Sequence, residues 1–184
     1  MSDALVNVLS QQIEYKVEET PSGTWRRFVY PSGAAYAEYR SHGKWGDLPL
    51  VHITLGRSPE TGRFVTARGG IAIGRFARGG IAIGIVARGY VAIGLLAFGL
   101  IAVGLVGMGL LLGVGQVAIG LASVGQFAAG VFFALGQLAV GHVAIGQIAY
   151  GHYVLAQQGY GDFVWDARAV DPAAHKFFLS LVGK

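Results

Sequence analysis

The chain has 184 residues, of which 53% are hydrophobic, 30 are glycine and only 13% are charged, with a formal net charge of +4. Soluble domains usually carry about a quarter charged residues, so this chain is long enough to bury a core but has too little charge to coat its surface. The absence of cysteine excludes a disulfide framework, a thiolate metal site and a cysteine nucleophile.

Charge is also segregated. Fourteen charged residues precede Ala67, only Arg68, Arg75, Arg78 and Arg88 follow before a stretch from Gly89 to Gly161 with none, and six more lie from Asp162 onward. The division predicts an N-terminal antiparallel β cap over 1–66, a repeat domain over 67–161 and a tail over 162–184. The expected fold class is all-β, a right-handed parallel quadrilateral β-helix with that cap and a short C-terminal helix.

The opening MSDALVNVLSQQIEYK lacks a basic stretch followed by an apolar run and a small-residue cleavage site, so no secretory signal is expected and the cap is expected in the cytoplasm. Ile13, Tyr15 and Val17 alternate with Glu14, Lys16 and Glu18, the period of a half-buried strand. PSG triplets at 21–23 and 31–33 flank TWRRFVY as turn signals. Val51, Ile53 and Leu55 alternate with His52 and Thr54, and SPETG at 58–62 turns the chain back toward the first repeat.

From Ala67 the sequence divides into A-x-G-x-Φ pentads such as ARGGI, AIGRF, AIGIV and AIGLL, carried past one-residue insertions near 112–116 and 133–137; roughly eighteen pentads fit. A membrane α-helix is the rival for so long an uncharged run. A five-residue period advances by about 140° per step on a helix, scattering Gly and Ala over every face, and each Gly costs about 1 kcal/mol relative to Ala there. A square coil of four five-residue sides accounts for the period. Each side takes a large inward residue, a small inward residue and a glycine at a corner of unusual torsion.

With inward centres at Ile71, Phe76, Ile81, Val86, Val91, Leu96, Ile101, Val106 and Leu111, and Gly two places before each, the repeat resembles that of the pentapeptide-repeat proteins. The resemblance implies a right-handed quadrilateral β-helix. Those proteins usually have Ala two places before the centre and Asp or Asn one place before it; Gly and an apolar residue stand there instead, so the family's functions are not carried over. The repeat is also similar to AIG-rich repeats of uncharacterised bacterial membrane proteins.

With twenty residues per coil, outward positions fall in four columns that begin small or basic, become apolar and end in Gln or His. Gln116, Gln137 and Gln157 share one column, Gln126 and Gln147 the opposite one, and His142 and His152 lie on opposite sides. These residues are candidates for inter-subunit contacts or a polar path. The 73 uncharged residues would give a belt of roughly 17 Å, short of a hydrocarbon core of about 30 Å. An apolar belt all round exceeds what a soluble monomer exposes. The expected partners are therefore membrane lipid and further copies of the chain, in a membrane-embedded, structural or bilayer-organising homo-oligomer. A soluble self-assembling scaffold or filament and an oligomeric channel are the alternatives. Arg57, Arg63, Arg68, Arg75, Arg78 and Arg88 are candidate contacts for lipid headgroups.

No enzyme is expected, because no acid, base and nucleophile converge. His142 and His152 have no carboxylate or Cys near them within the repeat, and His52 with Asp47 and Glu60 is an unremarkable scatter. No cofactor, metal or small-molecule substrate is expected, since the GxG strings recur as structure without a phosphate-loop or Rossmann context. Nucleic acid is not expected either, because no aromatic stacking platform accompanies the arginines. In the tail, Asp171 as N-cap, Pro172 in the first turn, and Phe177, Phe178, Leu181 and Val182 on one side before Gly183 predict a helix. It would close the open coil end or lie on a bilayer surface.

Overall fold

The computed structural model describes residues 13–183; the stretch before Ile13, read above for a secretory signal, lies outside them. Among the described residues the fold is mostly β with one short helix. Strands β1 (Lys16–Thr20), β2 (Gly23–Val29), β3 (Ala35–Ser41) and β6 (Val51–Leu55) join β7 (Thr66–Trp165) in a mixed sheet of order β1-β2-β3-β6-β7. The short strands β4 (Lys44–Trp45) and β5 (Leu48–Pro49) pair as a separate hairpin. Helix α1 is Pro172–Leu181. Among the described residues no helix is long and apolar enough to cross a membrane.

The turn signals of the first segment mark turns. β1 and β2 meet across Pro21 and Ser22, and the second triplet places Gly33 at φ 81°, with its N–H donating to the Tyr30 carbonyl at 2.9 Å. A side chain there would be strained. The strand expected from Ile13 begins only at Lys16.

The inward face of the cap reverses its hydropathy pattern. In β6 it is His52 and Thr54 that are buried, while Leu55 is 55% exposed. The cause is the pairing: β6 runs parallel to β7 with His52 beside Ala72 and Thr54 beside Gly74. The inward positions of β6 therefore continue the small inward residues of the repeat.

Within β7 the neighbours lie ten residues apart. The rings of Tyr150 and Tyr160 stack at 4.8 Å, His142 and His152 at 4.9 Å, and Tyr153 and Phe163 at 5.1 Å, which is the separation of adjacent strands. Gly89 lies against Gly79, Gly94 against Gly84 and Gly104 against Gly94. The spacing becomes eleven where Gly115 meets Gly104 and Gly136 meets Gly125, as one-residue insertions require. The four-sided coil of twenty residues is thereby corrected to two pentads per turn of contacts. The twenty-residue offset of Val51 and Ile71 contains an additional excursion over 56–65, pinched by the bridge of Arg57 with Phe64.

The interior is corrected too. Ala67, Ala72, Ala82, Ala92 and Ala102 are completely buried, whereas the expected inward centres Phe76, Ile81, Leu96, Ile101 and Leu111 are exposed. A ten-residue turn brings its two sides so close that only methyl groups fit. A Cβ added to Gly79 would lie 3.4 Å from the Ala72 Cβ. The glycines also do not turn corners, since none in β7 has a positive φ. They are there for close approach: a Cβ on Gly84, Gly94 or Gly104 would lie well inside 3.0 Å of a carbonyl one turn below. The six-residue gaps between buried positions fall at Gly107 to Gly113 and Ala128 to Ala134, slightly before the expected insertions.

At the far end, β7 runs four residues past the predicted repeat boundary, to Trp165. The turn that follows is held by Asp166, whose carboxylate accepts from the N–H groups of Gly159 (3.1 Å), Arg168 (2.8 Å) and Ala169 (3.1 Å). These bonds, with the Arg168 guanidinium first among them, hold the Asp166 carboxyl well below the usual range. The predicted helix forms as α1, with Asp171 accepting from Ala173 N–H at 2.7 Å and Ala174 N–H at 3.2 Å. It packs through Phe177, whose ring stacks on Tyr153 at 4.1 Å.

Two stability measurements follow. Gly94→Ala should cost about 1–3 kcal/mol through overpacking, whereas Gly43→Ala, whose Cβ would meet nothing closer than Leu50 Cβ at 3.7 Å, should be near neutral; denaturant unfolding compares them. Ser123 replaces Ala in the buried file and its hydroxyl has no hydrogen-bond partner among the described residues. An unsatisfied buried hydroxyl costs about 1–3 kcal/mol, so Ser123→Ala should raise the unfolding midpoint, and an unchanged or lowered midpoint would contradict that origin.

Candidate functional site

The ten-residue spacing divides the six arginines expected at headgroups. Arg68, Arg78 and Arg88 fall in one file and line one groove of about 840 Å³. Its floor is Gly79, Gly89 and Gly99; Trp45 and Leu48 of the small hairpin stand at the cap end, and Tyr90, Leu100 and Leu110 continue the apolar wall. Outward glycines make room there, because a Cβ on Gly80 would lie 3.5 Å from the Trp45 ring and one on Gly70 would lie 3.4 Å from the Trp45 Cβ. Arg88 extends over Phe98 at 5.5 Å. Arg75 belongs to a different groove and lies over Phe64 at 4.2 Å, a ring also approached by Arg57 at 5.1 Å. Arg63 sits exposed on the excursion between β6 and β7.

A buried polar network ties the cap to the first arginine. Glu38 accepts from the Tyr36 hydroxyl at 3.0 Å and from Arg40 Nε at 2.9 Å, and its Oε1 lies 3.0 Å from His52 Nε2. The nearer neighbour of His52 Nδ1 is the Arg68 N–H at 2.9 Å, which can only donate. The imidazole proton is therefore on Nε2 and is donated to Glu38. This bond above all, helped by Arg40, lowers the Glu38 carboxyl to about 2. Burial and the neighbouring carboxylate raise the Tyr36 hydroxyl. Both ring nitrogens of His52 are engaged, so the pair fixes the Arg68 backbone and offers no free base. The carboxylate beside His52 is that of Glu38, not of Asp47 or Glu60. The alternation of Tyr36, Glu38 and Arg40 along β3 was the overlooked signal.

The glutamines share one file. Gly125 lies against Gly115, Gly136 against Gly125 and Gly146 against Gly136, so Gln116, Gln126, Gln137 and Gln147, each following one of these glycines, stack in succession. Gln157 continues the file ten residues on, and all five are exposed. The expected pair of opposite columns is corrected by the same halving of the coil. So is the separation of His142 and His152, whose rings stack. A carboxylate is also present, since His152 Nδ1 lies 2.6 Å from Asp162 Oδ2. Among the described residues no group of three His, Cys, Asp or Glu side chains is placed to hold a metal.

A family model, the GLTT repeat of Gly-rich bacterial proteins, matches residues 84–111 in six copies. The match covers less than a sixth of the chain. No curated protein and no solved structure matches. The resemblance to pentapeptide-repeat proteins gains no support from the core, where Ala stands in place of large inward centres.

The Glu38 network has a signed pH dependence. Its carboxyl falls from an ordinary 4.5 to about 2 on folding, so its contribution is fully present above pH 4.5 and is lost as pH falls through 2. Glu38→Gln should remove about 3 kcal/mol of stability at neutral pH and flatten the stability profile between pH 5 and 2. A variant with the slope of the parent protein would contradict the assignment.

Proposed function

We propose that the chain is a non-enzymatic, membrane-spanning flat β-solenoid with two pentads per coil and a structural, bilayer-organising role. The observation that carries this reading is the ten-residue spacing of contacts in β7, set beside the uncharged stretch from Gly89 to Gly161. At about 4.8 Å per coil, those 73 residues make about seven coils and a belt of roughly 34 Å, matching a hydrocarbon core of about 30 Å. A twenty-residue coil would halve that length.

Aromatic placement supports the same orientation. Tyr and Trp within β7 stand at Tyr90 on one side and at Tyr150, Tyr153, Tyr160 and Trp165 on the other, with none between. About six coils, or roughly 29 Å, separate the two groups, as interfacial belts require. Pairing from coil to coil satisfies the backbone within the chain, a condition for any span. The arginine file lies on the cap side, consistent with a cytoplasmic cap under the positive-inside bias.

The glutamine file supplies the oligomeric part of the reading. Carboxamides held in hydrocarbon without partners cost free energy. Abutting the same file on a second copy lets them bond across the interface. With a methyl-filled interior in each copy, any polar path lies between copies. End-to-end filaments are disfavoured, because β6 covers the first turn of the repeat and the Asp166 turn covers the last.

Alkaline extraction of membranes tests the span: the protein should stay in the pellet, and release as a discrete soluble assembly would overturn the reading. The chain has no cysteine, so single substitutions test the interface. Gln137→Cys should give a disulfide-linked dimer on mild oxidation in membranes, and Leu110→Cys, at a site 63% exposed outside that file, should not. Equal cross-linking at both positions would remove the glutamine interface.

A further inference from the structure

We infer that the groove beside the arginine file binds one anionic phospholipid. Arg68, Arg78 and Arg88 hold its phosphate, and an acyl chain runs over the glycine floor against Leu100 and Leu110. The inference rests on the membrane-spanning reading, which puts the mouth of the groove at headgroup depth.

Charge is the first argument. Arg26, Arg27, Arg40 and Arg168 each have a carboxylate partner, and Arg57 and Arg75 lie over Phe64. Among the described residues Arg68, Arg78 and Arg88 pair with no carboxylate, yet they stand on consecutive turns along one groove. Three arginines rooted on strands about 4.8 Å apart can bring their guanidinium groups to the oxygens of one phosphodiester and its neighbouring headgroup.

Shape is the second. A volume of about 840 Å³ exceeds what a phosphate needs and suits a headgroup with part of a chain. Gly70 and Gly80 occupy the outward positions that Tyr90, Leu100 and Leu110 fill on later turns, and Trp45 packs over them. Trp45 thereby closes the cap end of a groove whose floor at Gly79, Gly89 and Gly99 carries no side chains beside the three arginines. Order along the axis is the third argument. Trp45 and the arginines lie at the cap end, and Leu100 and Leu110 lie inside the uncharged belt that begins at Gly89. A phospholipid presents the same sequence of charge and then hydrocarbon. A free phosphate would leave the apolar wall without a role.

The test uses full-length protein purified in detergent. Native mass spectrometry compares retention of a short-chain phosphatidylglycerol with that of the matching phosphatidylcholine, with inorganic phosphate titrated separately. The parent protein should retain the anionic lipid at least about tenfold better. Arg78→Gln should weaken it about fivefold, and R68Q/R78Q/R88Q should abolish the preference. Leu110→Gln should weaken both lipids while leaving phosphate binding unchanged. Equal retention of the two lipids by the parent, preference surviving in the triple variant with a parental circular-dichroism spectrum, or phosphate binding as tight as the lipid would each overturn the site. Because the measurement is made in detergent, release of the parent chain by alkali would sink the membrane span without deciding this assay.

Discussion

Two extended backbones held apart by little more than an alanine methyl are what the rest of this molecule is built around. At that separation a Cβ on the repeat glycines would run into the carbonyl of the turn below, so Gly recurs every fifth residue as a steric condition and not as a hinge. The interior accepts Ala, with Ser123 and Val154 as the exceptions among its side chains. The other Ile, Leu, Val and Phe side chains of the repeat are half-buried or exposed. A methyl group contributes only about 0.8 kcal/mol on burial, so the internal core is a weak source of stability for so long a segment. The ladder of backbone hydrogen bonds must supply much of the cohesion, and such bonds gain strength where water is excluded. On the membrane-spanning reading, a cover of lipid over the exposed side chains and a dry backbone ladder are one requirement seen from two sides.

The ends of the segment face the opposite problem, since a β edge left open invites further strands. At the start, β6 enters the stack with polar residues at its inward positions, where His52 and Thr54 hydrogen-bond the Arg68 and Val65 backbone at the entry to the repeat. Glu38 bonds to His52 there, and the chain of bonds ends on the Arg68 backbone. At the finish, Val154 is the first large side chain among the completely buried inward positions. The layer thickens, Asp166 folds the chain across the last turn, and Phe177 of α1 covers Tyr153.

Much of this was legible in the sequence. The segmentation by charge, the five-residue period, the turns around Pro21 and Gly33 and the Asp171 cap all depend on local chemistry that residue types report directly. The number of pentads in a coil is not local, because two or four satisfy the same period. Identities recurring at ten could have decided it: Arg68, Arg78 and Arg88, then Tyr150 and Tyr160, and glutamines stepping by ten or eleven from 116 to 157. The assignment of large residues to the inside followed hydropathy, which fails where the interior is too thin for anything larger than a methyl group. The better guide was tolerance within the repeat. The Φ position accepts Ile, Phe, Val, Leu and Ala, while the first position is nearly always Ala, and a tightly packed site is the one that tolerates least.

Halving the coil also changes what the glutamine file implies about depth. In that file the residues before Gln116 are Arg75, Ile85, Leu95 and Leu105. Three apolar turns thus lie between Arg75 and the first carboxamide, four strand spacings or about 19 Å in all, more than half a hydrocarbon core of about 30 Å. On the membrane-spanning reading, the face is greasy through the cap-side leaflet and polar through the other. Copies joined along their glutamines would contact one another in the far leaflet and leave apolar side chains to be covered in the near one. Lipid would then enter between or around them on the cap side, which is the side where Arg68, Arg78 and Arg88 stand with no carboxylate partner among the described residues. The polar file and the arginine groove belong to different faces, yet both follow from a coil short enough to put residues ten apart in register.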